Sequence, residues 1–259
     1  MGLAAALSRF AFTLSLLQRP EEVGRVAREI CEDAAAEGVT TLEVRFAPQL
    51  HHGATMAVIV DAALEGIGGR AGLILCGLYG EPPALLDALV DVAAARPGVV
   101  GLDLAGGPAP GQVFHLADYE APFRRAGALG LGRTVHAGEG RAASEIRVAI
   151  ERLGADRIGH GTTLADDPRL VELVIERGVT VEACLTSNWH VGAIAAIAEH
   201  PLVRWLERGV RACVCSDNTL LSATSAVAEH AHARALPGMT EALWARAVAA
   251  GHEAAFRRR

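Results

Sequence analysis

The chain has 259 residues, 51% of them hydrophobic, enough to build one large domain or two small ones around a sizeable core. Its formal charge of −6, with no basic run longer than the terminal Arg257, Arg258 and Arg259, gives no footprint for a nucleic-acid backbone, so a small molecule is the expected partner. All 24 basic residues are arginine, which reads as coding bias and excludes a lysine Schiff base.

Residues 1–17 are apolar but carry Arg9 in their middle, with no basic start and no clear cleavage site, and they read as a cut-off helix rather than a signal peptide. No apolar run is long enough to span a membrane. Downstream, apolar strand-like runs alternate with amphipathic stretches at intervals of about 25 to 30 residues, the rhythm of βα units and a parallel sheet. Strands are expected at 41–47, 72–78, 99–105, 133–136, 157–160, 179–184 and 210–217. Between the chain start and the first strand, Pro20 opens a helix whose Val23, Val26, Ala27, Ile30 and Ala34 share a face, and Gly38 closes it. Asp167 and Pro168 start another, ended by Gly178.

The five cysteines, Cys31, Cys76, Cys184, Cys213 and Cys215, show no paired framework, and a reducing, cytoplasmic compartment is expected. Cys213 and Cys215 are read as strand residues leaving on opposite faces, and so not as a metal pair.

Seven consecutive βα units without linker or repeat predict a single α/β domain over 1–259, a TIM-type barrel of eight units with one missing. In such barrels the chemistry gathers at the carboxyl ends of the strands. Those ends here carry Gly106, His136 with Glu139, His160, Ser187 with Asn188, and Asp217 with Asn218. Taken singly, His136 is as well read as a core histidine, Glu139 as a helix cap, and His160 and Asp217 as turn residues. Their convergence on strand exits favours a site. The other histidines, His51, His52, His115, His190, His200, His230, His232 and His252, are read as solvated or structural. Histidine nitrogen and aspartate oxygen suit zinc, and a neighbouring carboxylate can carry a proton to or from bound water, which makes hydrolysis the natural reaction class.

The motifs "EVRFAP", "GLDLAGG", "TVHAGEG", "RIGHGT", "TSN" and "SDN", in this order along nearly the whole chain, resemble those of the adenosine deaminases of the metal-dependent amidohydrolase superfamily. The resemblance implies a (β/α)₈ barrel, one zinc ion per chain, and replacement of a purine 6-amino group by oxygen with release of ammonia. By it, His136 and Asp217 would ligate zinc, and Asp217 would also take a proton from the attacking water. Glu139 would protonate ring N1, His160 would orient or stabilise the hydroxide, and Gly106 would let its backbone approach the base.

Two departures from the family pattern stand out. No expected strand of the chain carries the His-x-His pair that supplies two further zinc ligands at the family's first strand, so the first βα unit is expected to be lacking. His51 and His52 are unsuited as substitutes, because adjacent side chains diverge. Residues 1–259 by themselves are therefore expected to bind zinc weakly, to deaminate little, and to leave two strand edges unpaired. Asn218 replaces a second aspartate, and its amide can donate to purine N7. Other readings are a different metal-dependent amidohydrolase, acting on adenine or a modified adenosine, and a defective truncated relative. The deaminases that flip bases out of nucleic acid are disfavoured by the absence of their His-x-Glu and Pro-Cys-x-x-Cys signature.

Overall fold

The computed structural model describes residues 3–107 and 111–256. Seven strands are present: β1 (Glu43–Phe46), β2 (Gly72–Leu78), β3 (Val99–Ala105), β4 (Gly132–Ala137), β5 (Arg157–His160), β6 (Thr180–Ala183) and β7 (Arg211–Val214). Every pairing is parallel and strand order follows chain order, as βα units require. The first and last expected strands are shorter than their apolar runs. At β7 the reason is local: Asp217 has φ 54°, a left-handed conformation that no strand can continue.

The chain packs as two compact units whose boundary falls inside β4. In the first, residues 7–133, β1, β2, β3 and the start of β4 pair through Val44 with Leu73, Leu75 with Leu102, and Gly101 with Gly132. Leu73, Ile74, Leu75, Leu102 and Leu104 are wholly buried there, each contributing about 1.5–3 kcal/mol by leaving water. Its helix Pro20–Ala36 begins at Pro20, where the Arg19 N–H donates to Glu22 Oε2 at 3.1 Å, and Gly38 beyond its end takes φ 78°. The expected apolar face is rotated slightly. Val23 and Ala27 are buried, but Ile30 is 38% exposed and Cys31 takes its place at 3%.

In the second unit, residues 134–254, β4 continues against β5, β5 against β6 and β6 against β7. Val135, Ile158, Val181 and Ala212 form its buried strand layer. A buried ion pair, Arg157 Nε to Glu182 Oε1 at 2.8 Å, lies among them, and Thr134 donates to the same carboxylate. The helix Pro168–Glu176 starts as expected, with Asp167 accepting from the Arg169 and Leu170 N–H groups. The reading of Cys213 and Cys215 needs correction: residues two apart on a strand share a face, and their Sγ atoms lie 3.7 Å apart. Among the described residues no helix is long and apolar enough to cross a membrane.

Candidate active site

The second unit carries most of the sequence-expected site. His136 sits at the end of β4 opposite Gly159 of β5, where a Cβ on residue 159 would come within 3.3 Å of the imidazole Nδ1. A side chain at that position would press on the ring, which a glycine leaves room for. Beyond Ala137 the chain turns through Gly138, whose φ is 67° and whose missing Cβ would meet Ile146 and Thr163 at under 3 Å. Thr162 and Thr163, following His160 and Gly161, donate to the Gly138 carbonyl at 2.8 Å and to the Arg141 carbonyl at 2.7 Å respectively. These bonds tie the loop after β4 to the loop after β5.

The tie brings three titratable groups together. Glu139 is buried, with its Oε1 3.7 Å from His160 Nδ1 and its Oε2 4.0 Å from the Arg141 guanidinium. The His136 and His160 rings are 4.9 Å apart, tilted by 59°. Arg141 also bonds Glu145 at 2.8 Å and the His136 carbonyl at 3.2 Å, so a cation anchors this corner. His160 holds φ 66°, a strained value for a residue with a side chain, and such strain gathers at functional sites.

The chain after β6 adds the polar residues of "TSN" in the helix Leu185–His190. Ser187 Oγ donates to Asp217 Oδ2 at 2.6 Å, and Asn188 bonds His160 Nδ1 at 2.9 Å. Asp217 thus joins Ser187, while Asn218 caps the next turn by accepting from the Leu221 N–H at 2.7 Å through Oδ1. That cap uses the acceptor end of the amide and leaves the NH₂ end as the one with hydrogens to give.

Gly106 directly follows β3 in the first unit, with φ 77° and open space around a Cβ placed there. His51, in the same unit, is buried and hydrogen-bonded to the Leu17 carbonyl, as a structural histidine should be. Two second-unit residues were not singled out from the sequence. Arg141 was legible, because Arg141 and Glu145 have the spacing of a helical ion pair. His200 was not. It is buried, bonds Asn188 Oδ1 at 3.2 Å through Nε2, and accepts the Leu202 N–H at Nδ1. Burial, with His160 nearby, pushes its pKa down to about 3.

The donor chemistry of His136 and Asp217 suits zinc, but a catalytic zinc takes at least three protein ligands. Among the described residues no group of three or more histidine, cysteine or carboxylate side chains is arranged to hold a metal ion. The residues described here do not by themselves make a zinc centre.

Parallel βα units that end β4 and β5 on two imidazoles and carry a buried glutamate and an aspartate on the loops after β4 and β7 define the class, a βα enzyme with its site at the strand exits. The family model described as adenosine deaminase matches residues 1–258, and the chain belongs to that family. It is 35% identical over 234 residues to the adenosine deaminase of Enterococcus faecalis, covering 86% of this chain and 68% of that protein. It is 32% identical to a probable adenosine deaminase of Dictyostelium discoideum, covering 85% of this chain but only 30% of that longer protein. Among solved structures, the N6-methyl-AMP deaminase of Arabidopsis thaliana shares the fold, with a TM-score of 0.88 at 25% identity over 99% of this chain and 80% of that one. A solved amidohydrolase of the same fold, from Burkholderia, carries bound zinc.

Proposed function

We propose that this chain serves the hydrolytic deamination of a 6-aminopurine nucleoside, adenosine to inosine plus ammonia. The observation that carries the reading is the buried Glu139 carboxylate held between His160 and Arg141 on the loop that follows β4. In the reaction a bond forms from water oxygen to C6 and the C6–N bond breaks, the nitrogen leaving as ammonia. Glu139 protonates ring N1, which makes C6 electrophilic. Asp217, oriented by Ser187, takes a proton from the attacking water, and His160 holds that oxygen in place. Asn218 donates to purine N7. The family's relatives support this reading.

The seven parallel strands are read as strands of a (β/α)₈ barrel, and the expected compartment is the cytoplasm. His136 and Asp217 are the two donors offered to a metal. The test is to measure ammonia release from adenosine, adenine and an N6-modified adenosine with zinc in excess and after dialysis against a chelator. Little adenosine turnover, lost altogether after the chelator, is expected from this chain, because two donors hold zinc loosely. Turnover of adenine or the modified nucleoside alone would favour the related amidohydrolase reading, to which the amide of Asn218 lends support. No turnover of any 6-aminopurine by a form of the protein supplied with a His-x-His strand would overturn the function.

A further inference from the structure

The geometry points to His200 as a positioning residue: acting through Asn188, it decides which ring nitrogen of His160 carries the hydrogen. This rests on the part proposed for His160 in deamination, but its physical content is separate from turnover.

The chain of reasoning starts at a group with no choice. The Leu202 backbone N–H can only donate, and it points at His200 Nδ1, 3.2 Å away, so that nitrogen presents a lone pair. A neutral imidazole has one N–H, which in His200 must then be on Nε2. The low pKa that burial imposes keeps His200 neutral at any ordinary pH. Nε2–H therefore donates to Asn188 Oδ1 at 3.2 Å. With its oxygen engaged, Asn188 turns its NH₂ toward His160 Nδ1 at 2.9 Å, and an NH₂ can only donate. Nδ1 of His160 must accept, and the hydrogen of the neutral ring sits on Nε2. The Glu139 carboxylate, 3.7 Å from Nδ1, is too distant to compete for a hydrogen there.

Each link is held rigidly. His200 stands edge-on against the buried Trp205, with ring centroids 5.4 Å apart, and Asn188 is wholly buried in its helix. The consequence is chemical. A neutral His160 with hydrogen on Nε2 gives a hydrogen bond to a reacting oxygen through that atom and has no lone pair there with which to take a proton. Its task is to stabilise oxygen, and proton acceptance falls to a carboxylate. The second nitrogen of a working histidine is commonly set by the bond its other nitrogen makes.

The experiment uses the metal-free chain labelled with ¹⁵N in its histidines, at about pH 8, above the ordinary histidine range. Long-range proton–nitrogen correlation spectra read the tautomer of each ring, and the His160 signals are identified by their loss in His160→Gln. Wild type should show His160 as the Nε2–H form. His200→Gln, whose amide NH₂ can reach Asn188 Oδ1, should keep it. His200→Phe fills the space without a donor and should give a mixture or the Nδ1–H form. Asn188→Asp, whose carboxylate can only accept, should switch His160 to Nδ1–H. Circular dichroism shows which variants fold, and should His200→Phe fail to fold, the Asp variant carries the same test. An Nδ1–H form in wild type, or an unchanged tautomer in His200→Phe or Asn188→Asp, overturns the proposal. Because no step reads ammonia, failure here and failure of the deaminase reading are told apart.

Discussion

Glu139 is the residue on which the proposed chemistry turns most directly. Replacing it with glutamine keeps the size of the side chain but removes the acid, so in a form of the protein that deaminates adenosine the initial rate should fall by about 10²–10⁴-fold. The melting temperature should hold near wild type, and retention of more than about a tenth of the rate would refute the assigned role. His160 and Asp217 were legible in the sequence because each closes an expected strand run. Their left-handed backbones, at φ 66° and 54°, were not, since nothing in "RIGHGT" or "CSDN" distinguishes them from ordinary turn residues. Strain of this kind costs roughly 1–3 kcal/mol per residue and is tolerated where the surroundings over-determine it.

At the scale of elements, alternation of strand and helix was readable because periodicity is a local property of the chain. Close approach between helices was not. Gly24 of the helix Pro20–Ala36 and Gly66 of the helix Met56–Ile67 meet so closely that a Cβ on residue 66 would lie 2.0 Å from the Gly24 carbonyl oxygen. In sequence both look like ordinary glycines that weaken a helix. Gly66→Ala removes that local weakness, worth roughly 0.5–1 kcal/mol, but forces the helices apart, and overpacking costs roughly 1–3 kcal/mol. Net destabilisation is expected, read as a lower urea midpoint, and a midpoint unchanged or raised would show that the helices do not meet as described. The same limit explains the exchange of Ile30 for Cys31: which edge of an apolar stripe is covered depends on the packed partner.

For the whole molecule, the buried His200 ties folding to pH. The unfolded chain takes up a proton on this ring near its ordinary value of 6.5, whereas the folded protein resists until about 3. Protons therefore favour the unfolded state through that window. Stability is fullest above the ordinary value and falls as the pH drops, with a slope from this one group of about 1.4 kcal/mol per pH unit. Carboxylates add their own acid sensitivity, so the informative quantity is the difference between wild type and His200→Gln in denaturant titrations between about pH 6 and 4. The glutamine variant should lose stability less steeply, and parallel curves would show that this ring is not held neutral in the folded protein.

The sequence by itself determined the order of seven βα units, the start of the helix at Pro20 and the placing of His136, Glu139, His160, Asp217 and Asn218 at or just beyond the carboxyl ends of strands. Those features follow from hydrophobic period and from turn and cap residues, all written within a few neighbouring positions. Only the tertiary structure decided that Ser187 grips Asp217, that Thr162 and Thr163 staple one site loop to the next, and that His200 reaches His160 through Asn188. These contacts join residues 12 to 30 positions apart. They are selected by how buried polar groups find partners once the strands have packed, and separations of that length leave no periodic trace in the chain.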